Sequence, residues 1–354
     1  MKKLLASALA LLIVFSFSSC ALTSALLFSS LQEDDDKDNN SYDFDFDFDN
    51  DNNEAIDKLE IDNSSYTAIM LKNGYDNLEN NAQKTIYKDI YNYVYKIEDI
   101  KTSDNYYYLM SDVEYSGTDK ITDRDMVIAY AAFKNDNPQY FWLDSVCQPD
   151  SENVLGERMY IYSYYSPDVT EKKIDEFENA VELFLESVPS NLSEPQLELY
   201  IHDYIYDLCI YDDPAAELKY GDKDFNAAHD SSNAYGVLVN GYAICQGYAE
   251  VYSYLLSLVG INSTTISSQD HIWNAVELDG DWYNVDLTWN DTTQSYIYFN
   301  ITDKELSLDH ETAPHYSELT DSEIVGTETE AGIWFNVYLP ECTETTYSYA
   351  NIKD

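Results

Sequence analysis

The chain has 354 residues, of which 45% are hydrophobic and 15% aromatic, with 34 tyrosines. This is too apolar for a disordered chain and predicts a folded body. Acidic residues outnumber basic ones by 66 to 19, and a formal charge of −47 argues against nucleic acid as a partner, because such a chain repels phosphate groups.

The N-terminus has the pattern of an export signal. Two lysines precede an apolar stretch, residues 4–17, which is shorter than the roughly 20 residues that a membrane-spanning helix needs. Phe-Ser-Ser-Cys at 17–20 then resembles a bacterial lipoprotein signal, so we predict a signal peptide at residues 1–20 and lipidation of Cys20. The predicted location is the cell surface, with a lipid anchor in the membrane. An ordinary secretory signal and a single membrane span are the alternatives, the latter because apolar residues continue beyond Cys20.

Residues 21–54 are predicted to form a tether. Their second half is a low-complexity run of Asp and Asn with isolated Phe, which cannot bury enough apolar surface to offset the entropy of ordering. Calcium binding is the alternative, but the run lacks the glycine turn and the closing glutamate of a calcium loop.

Residues 55–166 are predicted to form a separate N-terminal α+β region. Apolar residues from Ile86 to Ile97 fall on one helical face, and Asp125 to Phe133 predicts another helix that ends near Asn137. Residues 157–165 are rich in Tyr and favour a strand. None of these patterns indicates a particular chemistry.

A catalytic domain is predicted at residues 167–320, and two amphipathic helices lead into it. The first carries an apolar stripe from Ile174 to Val188 and is stopped by Pro189. The second begins at Ser193, with Gln196 placed three residues on as in a capping box. Both stripes indicate core faces.

Cys245 lies at the predicted start of a third helix. Asn240-Gly241 predicts a turn just before it, and the helix that follows runs on one apolar face to a stop at Gly260. The free N–H groups and the dipole at a helix N-terminus favour an anion, so this position favours the nucleophilic thiolate. A buried structural cysteine is the alternative.

A β-hairpin is predicted next, in which Asp279-Gly280 joins two β-prone runs as a two-residue turn. In that register Trp273 lies opposite Asp286, and His271 lies opposite Thr288. His271 and Asp286 then emerge on the same face as diagonal neighbours, roughly 7 Å apart at Cβ. We therefore predict Cys245 as nucleophile, His271 as base and Asp286 as the acid that orients the imidazole.

The other histidines are weaker candidates for the base. His202 is predicted on the outer side of its helix, and His310 and His315 in a polar tail segment. His229, in a loop before Cys245, is the main rival to His271.

The blocks GYAICQGYA, which contains Cys245, and HIWNAVELDGDWYNVDLTW, which begins at His271, together resemble the transglutaminase-like superfamily, in particular its exported bacterial members. The resemblance covers residues 193–310, and Ile272 stands where Ala is more usual. It implies a papain-like α+β core, in which the helix with the cysteine packs on an antiparallel sheet with the histidine and the acid. It also implies acyl transfer through a thioester, with cross-linking, deamidation or hydrolysis as possible outcomes.

Four residues near the triad are candidates for substrate binding: Trp273, Tyr242, Gln246 and Trp289. Core packing is the alternative role of the tryptophans. The predicted partners are protein or peptide substrates, including cell-wall peptides. No cofactor and no metal site are predicted, and residues 321–354 are taken as a β-prone tail. A surface-displayed binding module with a vestigial site is the alternative function.

Overall fold

The computed structural model describes residues 66–101, 108–110, 113–152, 157–218, 228–325 and 335–353. All of them belong to one compact unit, Glu60–Asp354. The predicted signal peptide, Cys20 and the tether lie outside the described residues. Within these residues, no helix has both the length and the apolar character that crossing a bilayer demands.

Helices and small sheets alternate along this part of the chain. The helices are α1 (Asn73–Asp76), α2 (Asn81–Ile90), α3 (Asp123–Asp136), α4 (Pro167–Ser187), α5 (Glu194–Leu208), α6 (Asp213–Ala216), α7 (Cys245–Leu258), α8 (Leu287–Thr293), α9 (Asp303–Leu306), α10 (Asp321–Val325) and α11 (Tyr349–Ile352). The strands are β1 (Ile97–Lys101), β2 (Tyr108–Met110), β3 (Val113–Glu114), β4 (Gln148–Asp150), β5 (Arg158–Tyr160), β6 (Tyr162–Ser163), β7 (Ile210–Tyr211), β8 (Tyr242–Ala243), β9 (Ser263–Ser267), β10 (Ile272–Leu278) and β11 (Asp281–Val285). The mixed helix-and-sheet character agrees with the predicted α+β class.

The helices predicted in the first half are present, with one difference in length. Helix α3 begins with a capping box between Thr122 and Asp125 and ends just before Asn137, as predicted. Helix α2 stops at Ile90, short of the predicted apolar run. The chain turns there, and the carbonyl of Val94 accepts a hydrogen bond from Trp142 Nε1 at 2.8 Å.

The two helices that lead toward Cys245 are confirmed. Helix α5 starts with the predicted capping box of Ser193 and Gln196 and buries Leu197, Ile201 and Ile205. Helix α4 ends at Ser187, just before Pro189.

Helix α7 packs on the antiparallel sheet β11-β10-β9. Asn274 in the central strand β10 is buried, and its amide donates to the carbonyl of Ala249 at 3.0 Å and to Ser253 Oγ at 2.9 Å. Because both acceptors belong to α7, these bonds fix the helix that begins with Cys245 to the strand that follows His271.

The C-terminal tail is less regular than predicted. Between 335 and 353 the β-prone run forms only an isolated bridge, between Asn336 and His315. The side chain of Asn336 accepts from the backbone N–H of Ser267 at 2.8 Å and donates to its carbonyl at 3.1 Å. The Asn336 side-chain amide thus pairs with the backbone N–H and carbonyl groups at the end of β9, where a regular neighbouring strand would pair through its own backbone.

Candidate active site

Cys245 is the first residue of α7, as the sequence predicts. Ile244 precedes it in an extended conformation, with φ −94° and ψ 177°, and its apolar side chain makes no capping hydrogen bond. The first N–H groups of a helix have no partner within the helix. Cys245 is partly exposed, and as the first residue of α7 it lies at the end of the helix where these donors are.

The start of α7 is held close to the preceding loop. A Cβ at Gly247 would lie 2.9 Å from the Cβ of Ala243, 2.9 Å from the carbonyl oxygen of Asn233 and 3.0 Å from that of Ser231. Only glycine fits this separation without a shift of backbone, so Gly247 sets how near the cysteine end of α7 lies to this loop.

The predicted hairpin is confirmed in its turn and in its register. Asp279 and Gly280 have φ values of 53° and 89°, the positive angles that a type I′ turn requires at both central residues. Leu278 pairs with Asp281, and the ladder continues to the pair Asn274 and Val285.

The prediction that the second strand of the hairpin continues through Asp286 to Thr288 is wrong. Strand β11 ends at Val285, so Trp273 and His271 do not face Asp286 and Thr288 in a ladder. Asp286 is instead the N-cap of α8, and its Oδ1 accepts from the backbone N–H of Trp289 at 2.9 Å. Aspartate is among the preferred N-cap residues, because its carboxylate satisfies a free N–H of the first turn.

His271 and Asp286 nevertheless meet. His271 Nε2 lies 2.6 Å from Asp286 Oδ2, and the side chains are 15% and 0% exposed. Cys245 lies near enough to His271 that its thiol contributes to the raised pKa of the imidazole. The structure thus brings the predicted base and orienting acid into contact, and Cys245 is near enough to His271 to affect its pKa.

The charges of these groups support one another. Burial alone lowers the pKa of His271, but hydrogen bonds to Asp286 and Cys245 outweigh it and raise the pKa to about 10. Burial alone raises the pKa of Asp286, but hydrogen bonds from His271 and His310 outweigh it and hold that pKa below its usual value. The site therefore favours an imidazolium beside an ionised carboxylate.

His310 is the site residue that sequence reasoning missed. It was predicted in a polar tail segment, but its side chain is only 2% exposed and its Nε2 lies 2.9 Å from Asp286 Oδ2. Its Nδ1 lies 2.7 Å from Asp309 Oδ1. The only local signal was the Asp309-His310 pair itself, an imidazole beside a carboxylate.

The remaining histidines contact other groups. His202, predicted on the outer side of α5, is fully buried and lies 3.1 Å from the Asn290 amide, so that prediction is wrong. Burial lowers its pKa. His229 is buried and stacks on Tyr164 at 4.4 Å between ring centroids. His315 Nε2 lies 2.8 Å from the carbonyl oxygen of Val337.

The four predicted substrate-binding residues occupy different environments. Trp273 is 1% exposed and belongs to a core cluster, a position that favours the packing role. Trp289 is partly exposed, and its ring centroid lies 4.2 Å from that of His310 and 5.7 Å from that of His271. Gln246 donates its amide to Glu250 at 2.9 Å. Tyr242 is 52% exposed and lies three residues before the nucleophile candidate.

Two further tyrosines lie near the site. Tyr248 in α7 donates to Asp291 Oδ2 in α8 at 2.7 Å, and this buried bond joins the helix that begins with Cys245 to the helix that Asp286 caps. Tyr211 is buried enough that its pKa rises to about 12, and the charges of Cys245 and Asp286 contribute to that rise.

The side chains of His271, Asp286 and His310 also have the chemistry of metal binding. Their nitrogen and oxygen atoms lie within 4.8 Å of one another. The 2.6 and 2.9 Å separations are those of charge-assisted hydrogen bonds. Ligands of a tetrahedral zinc ion, with bonds of about 2.0–2.1 Å, lie roughly 3.3 Å apart. The side chains would have to separate to admit such an ion.

Comparisons with known proteins find partial likenesses to solved structures. No family model and no curated protein match the chain. A crystal structure of a TGase matches with 16% identity and a TM-score of 0.27, over 42% of this chain and 45% of that chain. A candidate cysteine protease from Cytophaga hutchinsonii matches with 12% identity and a TM-score of 0.22, over 40% and 61%. The chain thus spans less than two thirds of either structure.

Proposed function

We propose that this chain is a thiol enzyme of the transglutaminase-like kind, which acts on amide or peptide bonds through a thioester. The observation that carries the proposal is the 2.6 Å contact between His271 Nε2 and Asp286 Oδ2. Cys245, at the start of α7, is near enough to His271 to contribute to its raised pKa. A nucleophile, a base and a group that orients the base are the minimum for this chemistry.

The reaction begins from a thiolate and an imidazolium. The Cys245 sulfur attacks the substrate carbonyl carbon, and the carbonyl oxygen becomes an oxyanion that the backbone N–H of Cys245 stabilises. The C–N bond then breaks, His271 gives its proton to the leaving amine or ammonia, and a thioester remains. Water or an acceptor amine attacks the thioester while His271 takes its proton, and the thiolate leaves. Asp286 holds the imidazole in one orientation throughout.

The proposed substrates are glutamine-containing proteins or cell-wall peptides, reached from the cell surface through the lipid anchor at Cys20. Tyr242 is the best placed of the four candidate substrate contacts, because it is exposed and precedes Cys245 by three residues. An acyl acceptor amine gives cross-linking, and water gives deamidation or hydrolysis.

Selective alkylation tests whether Cys245 is an activated nucleophile. Iodoacetamide at neutral pH, followed by peptide mapping, is expected to label Cys245 rapidly and to label His271→Ala much more slowly. The other described cysteines are internal controls, because Cys147, Cys209 and Cys342 are buried and burial raises the pKa of Cys209 to about 12. Labelling of Cys245 at the rate of a free thiol would contradict the proposal and favour the binding module.

Capture of the acyl-enzyme then identifies the reaction. Glutamine peptides and peptidoglycan fragments are incubated with the protein, with and without a primary amine, and the Cys245 peptide is analysed by mass spectrometry. A thioester adduct that amine converts into an amide product supports acyl transfer. An adduct that only water resolves supports hydrolysis.

A further inference from the structure

One carboxylate oxygen at the site accepts from two imidazoles. Asp286 Oδ2 lies 2.6 Å from His271 Nε2 and 2.9 Å from His310 Nε2. Asp286 is fully buried, and the His310 side chain is 2% exposed, so water cannot replace either partner without a rearrangement. The ring centroids of the two histidines are 5.7 Å apart.

The second nitrogen of His310 also faces a carboxylate. Its Nδ1 lies 2.7 Å from Asp309 Oδ1, and the other oxygen of Asp309 accepts from the Tyr298 hydroxyl at 2.7 Å. Burial alone raises the pKa of Asp309, but the bonds from Tyr298 and His310 outweigh it and hold the pKa below its usual value. Because an ionised carboxylate only accepts, both nitrogens of His310 must donate, which requires the imidazolium.

We propose that His310 is a positioning residue, a buried cation that holds the Asp286 carboxylate in place and sets the pH range in which the Cys245–His271 pair is active. The second half of this statement rests on the proposed function. The first half, the charge and contacts of His310, can be tested without any activity.

The sign of the effect follows from the charge. A cation near a titrating group favours its deprotonated form, so removal of the His310 charge favours the protonated forms of its neighbours. The charged and titratable groups around it are Asp286 at the start of α8, Asp309 beside it, His271 before β10, Tyr298, and, through His271, Cys245. Tyr211 adds no charge below its raised pKa of about 12. The whole activity profile should therefore move to higher pH.

Two variants remove the charge in different ways. His310→Gln keeps an N–H donor for Asp286 but cannot become a cation. Asp309→Asn replaces a partner that can only accept with an amide that can donate to Nδ1, which favours the neutral ring of His310. His315→Gln is the matched control, since its imidazole contacts Ser317 and the carbonyl of Val337.

Two measurements test the proposal. In ¹⁵N-histidine NMR spectra, which contain few signals because the chain has 5 histidines, His310 should show two protonated ring nitrogens at neutral pH. The pH dependence of Cys245 alkylation should shift upward by about one pH unit in His310→Gln. The shift in Asp309→Asn should be smaller, and His315→Gln should match the wild type.

The outcomes separate the two proposals. A neutral His310 ring at neutral pH, or a His310→Gln profile that superimposes on that of His315→Gln, would overturn the role of His310. Slow alkylation of wild-type Cys245 together with a cationic His310 would contradict the proposed function alone. If His310→Gln fails to fold, the NMR spectrum of the wild type and the Asp309→Asn profile still decide the question.

Discussion

Asp286 and Asp136 are both fully or almost fully buried, yet their surroundings give them opposite properties. Asp286, in the site, has its pKa held below the usual range, because the imidazoles of His271 and His310 outweigh the effect of burial. Asp136, at the end of α3, has its pKa raised to about 7, because burial outweighs its hydrogen bonds. Burial alone therefore does not distinguish a functional carboxylate from a structural one.

The difference lies in the charge of the donors. Asp136 accepts from the backbone N–H groups of Gly74 and Tyr75 at 2.7 and 2.8 Å and from the Tyr87 hydroxyl at 3.0 Å. These donors are neutral, and they join α1 and α2 to α3. The partners of Asp286 are imidazoles, which can carry positive charge, and one of them, His271, interacts with Cys245. We infer that Asp136 contributes to the stability of the fold and Asp286 to its chemistry.

The comparison predicts that the same substitution has very different effects on turnover at the two positions. Asp286→Asn should lower amide turnover by about 10³–10⁴-fold, because the amide no longer stabilises the His271 cation or fixes its tautomer. Its free energy of unfolding should also fall, by about 3–5 kcal/mol, because the amide presents no charge to the two buried imidazoles, although asparagine still caps α8. Asp136→Asn should change turnover only a few-fold and lower the free energy of unfolding by about 1–3 kcal/mol, because the amide presents a donor to Tyr75. Steady-state kinetics measure the turnover of each variant, and urea unfolding measures its free energy of unfolding.

Equal loss of turnover in the two variants would contradict this assignment. So would a loss in Asp286→Asn that is explained by a lower folded fraction.

A second prediction concerns the pH dependence of stability. Burial raises the pKa of Asp136 to about 7 and that of Glu198 to about 8, so the folded state binds protons that the unfolded state releases. The free energy of unfolding should therefore fall as pH rises from about 4 to about 8, by up to roughly 1.4 kcal/mol per pH unit for each group. Asp286, with a lowered pKa, contributes in the opposite sense, and its contribution is lost only at acidic pH.

Urea unfolding at pH 5, 6 and 7 checks this prediction. The slope of the free energy of unfolding against pH should be smaller in Asp136→Asn than in the wild type. It should be unchanged in Asp123→Asn, which replaces an acid at the start of α3. An Asp136→Asn slope equal to that of the wild type would show that Asp136 keeps its charge when buried.

The local features of the site could be predicted from the sequence, because each depends on neighbouring residues. Asp279-Gly280 determines the turn, the turn fixes the register to Leu278 and Asp281, and the apolar face after Cys245 marks the helix. The end of β11 was missed, although the aspartate before Leu287 is a common N-cap and could have indicated the start of α8.

The position of His310 could not be predicted in this way. It lies 24 residues beyond Asp286, in a segment whose residues show no helix or strand period. Its contact depends on how α8, the loop with Tyr298 and α9 fold back over β10, and local propensity does not encode that path. Burial of His202 was missed for a related reason, since its partner Asn290 is distant in the sequence.

A third prediction tests whether the reactivity of Cys245 depends on the close packing of the start of α7 against the preceding loop. Gly247→Ala places a methyl group 2.9–3.0 Å from Ala243, Asn233 and Ser231. Overpacking of this kind should lower stability by about 1–3 kcal/mol and slow Cys245 alkylation, because the sulfur moves relative to His271. Ala249→Gly, two residues along the same buried helix, is the control for helix stability. A Gly247→Ala protein with wild-type alkylation would show that the spacing does not matter for the chemistry.

The smallest expected effect is at Tyr242, which belongs neither to the hydrogen-bond network of Asp286 nor to that of Asp136. It is 52% exposed, and its strand partner Ile210 is 45% exposed, so the pair offers an apolar surface just before Cys245. Tyr242→Ala should raise KM for the captured amide substrate about three- to ten-fold and leave kcat unchanged, because the contact is equal in the ground state and the transition state. Leu183→Ala, an exposed apolar residue of α4, is the control. If both variants have the wild-type KM, substrate does not bind over β8, and the partly exposed ring of Trp289 becomes the next surface to test.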